Sequence, residues 1–298
     1  MRKAAVLFNA RSGGRRKRRE SDLREILKIL SEAGVEAELV RTQSSADAAE
    51  QARQAIRNGC DTVLACGGDG TIHDVIQGIA GSQAALGVIP MGTANALAHD
   101  LGVPREPARA VQAALKGIRR RIALGQVTVN GPLDTPVTRY FTVAVGIGVD
   151  AHLFYKLHAG TKQRLGMGAY YAKAWHLWCT HRMAGFQVQL SPGTSEEVLH
   201  RGITEVLAVR IRNFGGVLQE PSRLAYLIYV IRGMLHAHWR VQGVELGSRK
   251  SLHCSPSPIA GNGGNCKVYV EADGELVGTL PAEIKMVPDA LTVLLPGK

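Results

Sequence analysis

Cys66-Gly67-Gly68-Asp69-Gly70-Thr71 follows the apolar run Thr62-Val63-Leu64-Ala65 and precedes a helical pattern from Ile72 to Ile79. A short, unbroken apolar run reads as a strand buried on both faces of a parallel sheet. The glycines after it let the backbone approach a ligand closely and turn its N–H groups inward. The helix that follows offers unbonded N–H donors and a positive dipole end, an arrangement that receives phosphate. Asp69, set among the glycines, is placed to hold a magnesium ion or to orient a phosphate. Three glycines, an acid and a hydroxyl are more than a plain turn requires.

The same design recurs downstream. Leu86-Gly87-Val88-Ile89 reads as a strand, Pro90-Met91-Gly92-Thr93 as a loop, and Ala94 to Leu101 as a helix. Here Thr93 could bond a phosphate or cap the helix, and Asn95 could cap or touch substrate. Upstream, Ala4-Ala5-Val6-Leu7-Phe8 reads as a first strand, followed by the basic glycine loop Asn9 to Arg19, which contains Ser12 and Gly13. Leu23, Ile26, Leu27 and Leu30 then recur at helical spacing, so one helix face is apolar, and Gly34 lies just past it. Val35 to Arg41 alternates as a strand does, and Ala46 to Asn58 reads as a helix ended by Gly59. Strands spaced by helices imply βαβ units and a mostly parallel sheet, in which ligands bind at the carboxyl ends of the strands.

The pattern changes near Arg121. Val127 to Val129, Tyr140 to Val145, Phe186 to Leu190, Val206 to Ile211, Ser251 to Ser255 and Val268 to Glu271 read as strands separated by turns. That is an antiparallel second domain, interrupted by helices at about Met167 to His181 and Leu224 to Leu235. Leu291 to Leu295 is continuously apolar again and suits a return to the first sheet. The expected division is therefore 1–125, completed by about 286–298, and 126–285. Gly146 to Ala151 mimics a dinucleotide fingerprint, but no parallel unit surrounds it.

Of the 298 residues, 45% are hydrophobic and 20% charged, enough apolar material for a real core. Lys and Arg total 36 against 25 acids, and the net charge of +11 favours anionic partners such as nucleotides or a membrane surface. Arg15 to Arg19 is the densest basic run, able to dock on anionic lipid, to touch nucleotide phosphate or simply to start a helix. No aromatic residues interleave with it, so nucleic acid is not an expected partner. Cys60, Cys66, Cys179, Cys254 and Cys266 show no CxxC pair, which argues against a disulfide framework or zinc site and for a reducing compartment. No stretch approaches the roughly 18–20 apolar residues of a membrane span. A cytoplasmic protein that visits the membrane from the side is the expectation.

Taken in order, these pieces resemble one family. Gly67-Gly68-Asp69-Gly70-Thr71 with Ile72-His73-Asp74-Val75-Ile76-Gln77-Gly78 resembles the hallmark loop of the diacylglycerol kinase catalytic domain, a family that includes sphingosine kinases and small bacterial lipid kinases. Ile89 to Ala98 resembles its second loop, Phe141 to Ala151 the opening of its second domain, Val270 to Glu275 its late Asp-Gly-Glu element, and Pro288 to Pro296 its last strand. The resemblance implies a three-layer α/β nucleotide domain of the NAD kinase/diacylglycerol kinase-like kind plus an antiparallel β-sandwich, with ATP in the cleft between them. It also implies roles: Asn9, Ser12, Gly13, Thr42, Gly67, Gly68, Asp69, Gly70, Thr71, His73, Thr93 and Asn95 at the nucleotide, Asp69 at Mg2+, and Glu275 as general base beside catalytic Asp69. The implied activity is transfer of the γ-phosphate of ATP to a lipid hydroxyl, diacylglycerol first. The implied partners are a nucleotide and a lipid at the membrane surface, with a homodimer as a possible assembly.

Three departures from the family pattern stand out. Ala96 takes a place where bacterial relatives often carry Asp, and Asp74 replaces a usual Glu. After Arg212 to Gly216, Gln219-Glu220-Pro221-Ser222 runs into the helix at Leu224, where relatives continue into an acidic strand that holds a structural magnesium; that strand is expected to be missing. Two other functions share parts of this pattern. NAD kinase has the same Gly-Gly-Asp-Gly-Thr loop, and a catalytically silent nucleotide- or lipid-binding protein would follow from the lost strand.

Overall fold

The computed structural model describes residues 1–9, 16–92, 95–131, 135–148, 151–152, 184–191, 198–210, 216–219, 244–245, 251–257 and 267–297. The chain divides into two compact units, Met1–Leu124 with Val287–Lys298, and Gly125–Met286.

The first unit alternates β1 (Lys3–Asn9), α1 (Arg16–Glu32), β2 (Glu36–Thr42), α2 (Ser45–Arg57), β3 (Thr62–Gly67), α3 (Asp69–Ile79) and β4 (Ala85–Pro90), then adds α4 (Ala96–Asp100) and α5 (Pro107–Leu115). β1 pairs in parallel with β2 and β3, and β3 with β4. Thr292 and Val293 of the chain's last strand pair in parallel with Ala85 and Leu86 of β4. Successive strand side chains point to opposite faces, and here both faces are covered. Ala4, Val6, Leu64, Cys66, Ala85 and Ile89 cluster with Leu23, Ile26 and Leu30 of α1 and Ala110, Val111 and Ala114 of α5. Ala5, Leu7, Val63, Ala65, Leu86 and Val88, which alternate with them, are also buried. The helices α2 and α3 pack against each other so closely that a Cβ on Gly78 would lie 2.2 Å from the Ala49 carbonyl oxygen. Burial on both faces is why these strands read as continuous apolar runs rather than alternating ones.

Three elements of this unit differ from expectation. Helix α3 begins at Asp69, so the loop is shorter than the glycines suggest; an acid in the first turn is favoured by the helix dipole. Helix α4 spans only Ala96–Asp100 instead of Ala94 to Leu101. Helix α5 was not expected, although Pro107 at its first position is a standard helix start.

The second unit takes up β5 (Ile118–Asn130) from Gly125 and continues with β6 (Pro136–Phe141), β7 (Ala144–Gly148), β8 (Phe186–Ser191), β9 (Val198–Val209), β10 (Gly216–Gln219), β11 (Val244–Glu245), β12 (Ser251–Pro256), β13 (Tyr269–Ala272) and the first part of β14 (Glu275–Leu295). Its antiparallel ladder closes on itself. Strand β9 pairs with β7, β7 with β13, β13 with β14, β14 with β12, β12 with β8, and β8 with β9 again. The expected sandwich is thus corrected to a barrel-like ring. The long strands make this possible by changing partners along their length. β9 gives Glu205 to Val209 to β7 and Val198 to Ile203 to β8. β14 gives Glu275 to Thr279 to β13 and Ala282 to Lys285 to β12. Gly202 at φ 73° sits at the changeover in β9, and the ladder register shifts between Phe186 and Val188 and between Val270 and Glu271; bulges and glycines turn barrel corners. Val127, Phe141, Val145, Ile147, Phe186, Ile203, Val206, Cys254, Val270 and Ile284 are among the residues that fill this unit's core.

A single strand expected over Tyr140 to Val145 is broken at Thr142 and Val143 into β6 and β7. The helices expected near 167–181 and 224–235 lie outside the described residues, as does 220–222, where the acidic strand was expected to be missing. Among the described residues no helix is long and apolar enough to cross a membrane.

Candidate active site

The strands β1, β2, β3 and β4 end together. Asn9 pairs with Thr42, Phe8 with Cys66, and Gly67 with Pro90. In the strand order β4-β3-β1-β2 the winding reverses between β1 and β3, and the crevice outside such a switch point is where open α/β sheets take ligands. The loops after β1, β3 and β4 leave from this edge.

Two of these loops are built as a pair. The Met91 N–H donates to the Gly67 carbonyl at 2.8 Å. A Cβ on Gly92 would lie 2.5 Å from the Gly68 Cα, and one on Gly67 would lie 2.5 Å from the Thr71 Cβ. These glycines serve close approach: no side chain fits where the two backbones meet. The Asp69 carboxylate completes the joint, accepting from the N–H of Asn95 at 2.9 Å and of Ala96 at 2.6 Å. Asn95 adopts φ 49°. Its own side chain folds back, accepting from the Gly92 N–H at 3.1 Å and donating to the Gly92 carbonyl at 2.8 Å. Asp69 therefore ties the second loop to the start of α3, and Asn95 closes its own loop rather than reaching outward. The first-turn N–H groups of α3 remain the donors that a helix start offers an anion.

The other predicted residues divide by what their side chains do. Thr42 is buried and its hydroxyl donates to the Phe8 carbonyl at 3.3 Å. Thr71, His73 and Asp74 are buried on α3, and Gly70 is exposed. Asn9 ends β1, and its carbonyl accepts from the Arg19 guanidinium at 3.1 Å. Ser12, Gly13 and Thr93 lie outside the described residues. No cluster of three His, Cys, Asp or Glu suited to a metal occurs among the described residues.

In the second unit, Asp273 and Gly274 form a two-residue hairpin turn between Ala272 and Glu275, which pair across it. Their φ values of 50° and 84° are those of the mirror-image turn that Asp-Gly favours. The turn is held from three sides. Asp273 accepts from the Thr142 N–H at 2.7 Å and hydroxyl at 2.9 Å, from the Val143 N–H at 2.8 Å and from the Ala144 N–H at 3.1 Å. The Asp273 N–H donates back to the Ala144 carbonyl at 2.9 Å. Buried Glu271 accepts from the Gly274 N–H at 2.8 Å. The Arg210 N–H donates to the Val143 carbonyl at 2.9 Å, and its guanidinium donates to the Thr142 carbonyl. This explains the break between β6 and β7: the N–H groups of Thr142 to Ala144 are spent on a carboxylate. The sequence singles out Glu275 but not Asp273 or Arg210, whose partners are remote along the chain, nor Glu271, which holds the turn from three residues away.

Comparison with known proteins agrees with this geometry. The diacylglycerol kinase catalytic domain matches residues 3–127. A diacylglycerol kinase of Bacillus subtilis (strain 168) is 27% identical over 317 residues, spanning 99% of this chain and 97% of that protein. The crystal structure of a protein from Bacillus anthracis str. Sterne assigned as a diacylglycerol kinase aligns with TM-score 0.73 and 19% identity over 99% of this chain and 95% of that one. Yeast NADH kinase shares the fold at TM-score 0.50 and 10% identity, over 99% of this chain and 84% of that one. Residues 3–127, which carry the paired glycine loops at the strand ends, are thus similar to the diacylglycerol kinase catalytic domain.

Proposed function

We propose that the protein transfers the γ-phosphoryl group of ATP to a hydroxyl of a membrane lipid, with diacylglycerol as acceptor and phosphatidic acid as product. The observation that carries this reading is the paired-loop joint at the ends of β3 and β4, where Gly67, Gly68 and Gly92 keep side chains away from the start of α3. Together with the family match over residues 3–127, it makes a phosphate cradle of main-chain donors.

In this reading the lipid hydroxyl oxygen attacks the γ-phosphorus, and the bond from that phosphorus to the β–γ bridging oxygen breaks. ADP leaves with the electron pair. The hydroxyl proton passes to Glu275, the acid that the Asp273-Gly274 turn presents at the start of β14. A positioned base contributes about 10²- to 10⁴-fold in rate. Asp69 is the acid of the phosphate loop, and each of its oxygens already accepts one N–H. It retains a lone pair on each oxygen, enough for one ligand to a magnesium ion held mainly by nucleotide phosphates and water. Bound there, the ion would supply charge neutralisation for the phosphoryl transfer. The acceptor is taken from the membrane surface, where a basic protein gains from anionic lipid.

Binding and transfer separate in one set of assays. ATP binding is measured by calorimetry. Transfer of label from γ-labelled ATP is then measured in mixed micelles with magnesium against diacylglycerol, a sphingoid base, phosphatidylglycerol and, without lipid, NAD. Labelled phosphatidic acid is the expected product. Labelled NADP would replace the lipid by a dinucleotide, and ATP binding with no labelled product would make the chain a silent nucleotide-binding protein.

A further inference from the structure

We infer that Asp273 is a positioning residue for Glu275 and takes no proton in the reaction; the inference rests on the reading of Glu275 as base. A carboxylate has about four lone-pair sites. Asp273 uses all of them on the Thr142 N–H and hydroxyl and the Val143 and Ala144 N–H groups. Each of these four partners is a donor, and together they hold the group as a carboxylate. Its neighbour two residues on carries no such load among the hydrogen bonds of the turn. The division of labour follows from the hairpin itself. Asp273 at φ 50° turns its side chain onto the β6–β7 break, and Glu275 is delivered as the first residue of β14, opposite Ala272. Arg210 fixes the far side of that break by holding the Thr142 and Val143 carbonyls, and Glu271 fixes Gly274. The tip therefore has few ways to move, which is what a general base requires, because a misplacement of about 1 Å costs on the order of 100-fold.

The test is a double-mutant cycle on the full chain in the lipid phosphorylation assay. Asp273→Asn puts an amide N–H₂ against an N–H donor and should lower kcat by about 10- to 100-fold, leaving KM for ATP unchanged. In a Glu275→Gln background the same substitution should cost nothing further, because there is no base left to misplace. If Asp273→Asn weakens folding, Thr142→Val removes one donor and keeps the carboxylate. It should then lower kcat by a few-fold in the wild-type background and not in Glu275→Gln. Losses that multiply in the double variant, or a change in KM for ATP alone, overturn the inference and leave the base assignment standing. Full activity in Glu275→Gln overturns the base assignment itself.

Discussion

The joint around Asp69 and the turn around Asp273 are built alike, each on a carboxylate that accepts main-chain N–H groups from a segment far along the chain. They differ in what is left over. Asp69 takes two donors, Asn95 and Ala96, and sits at the start of a helix whose own first-turn amides stay available. Asp273 takes four, and the proposed base is Glu275 beside it. An acidic residue in a motif is thus not by itself an assignment. What decides is which donors already occupy it and which neighbouring group the arrangement frees.

The largest effect is expected at the glycines. Gly92→Val places a branched side chain where a Cβ alone would lie 2.5 Å from the Gly68 Cα. Backbone cannot yield as a side-chain tip can, so ATP affinity should fall by about 100-fold or more in calorimetry, equivalent to roughly 2.7 kcal/mol. Unchanged affinity would mean that the two loops need not touch to bind nucleotide. Asp69→Ala should follow, leaving the Asn95 and Ala96 amides without their acceptor at a cost of about 1–3 kcal/mol in urea unfolding. Loss of activity with no loss of stability would assign Asp69 to the reacting phosphates alone. Gly78→Ala is a control outside both joints. Its Cβ would lie 2.2 Å from the Ala49 carbonyl oxygen, so it should cost about 1–3 kcal/mol of stability and leave the affinity of folded protein for ATP intact. The smallest effect concerns the thiols. Burial pushes the Cys254 thiol up to about 12, and burial raises Cys66 as well. Both should stay thiols at neutral pH and resist modification by disulfide reagents until the chain unfolds, since the thiolate is the reactive form. Prompt labelling of native protein at either position would contradict this.

Much of this was legible in the residues. Leu23, Ile26 and Leu30 mark the buried stripe of α1, the glycine clusters mark the loops at the strand ends, and Asp273-Gly274 marks a hairpin with positive φ at both positions. Local rules suffice there, because each feature is set by neighbours within a turn or two. The barrel-like closure was not legible. It depends on β9 and β14 changing partners midway, and strand alternation looks the same whether two sheets stack or one closes. The break at Thr142 was hidden for a related reason: the cause lies at Asp273, about 130 residues on. Net charge also misleads in part. Arg119 pairs with Asp61 at 3.3 Å, and Arg121 donates to the carbonyls of Asp289 and Ser82. These cations tie strands together and are not spare for a phosphate or a membrane.

A phase partition distinguishes lipid phosphorylation from nucleotide binding without transfer. The full chain is incubated with γ-labelled ATP, magnesium and diacylglycerol in mixed micelles, and the label is followed into the organic extract. Lipid phosphorylation predicts label in the organic phase, at the mobility of phosphatidic acid, dependent on diacylglycerol. Label confined to the aqueous phase, with ATP bound and diacylglycerol present, would contradict it.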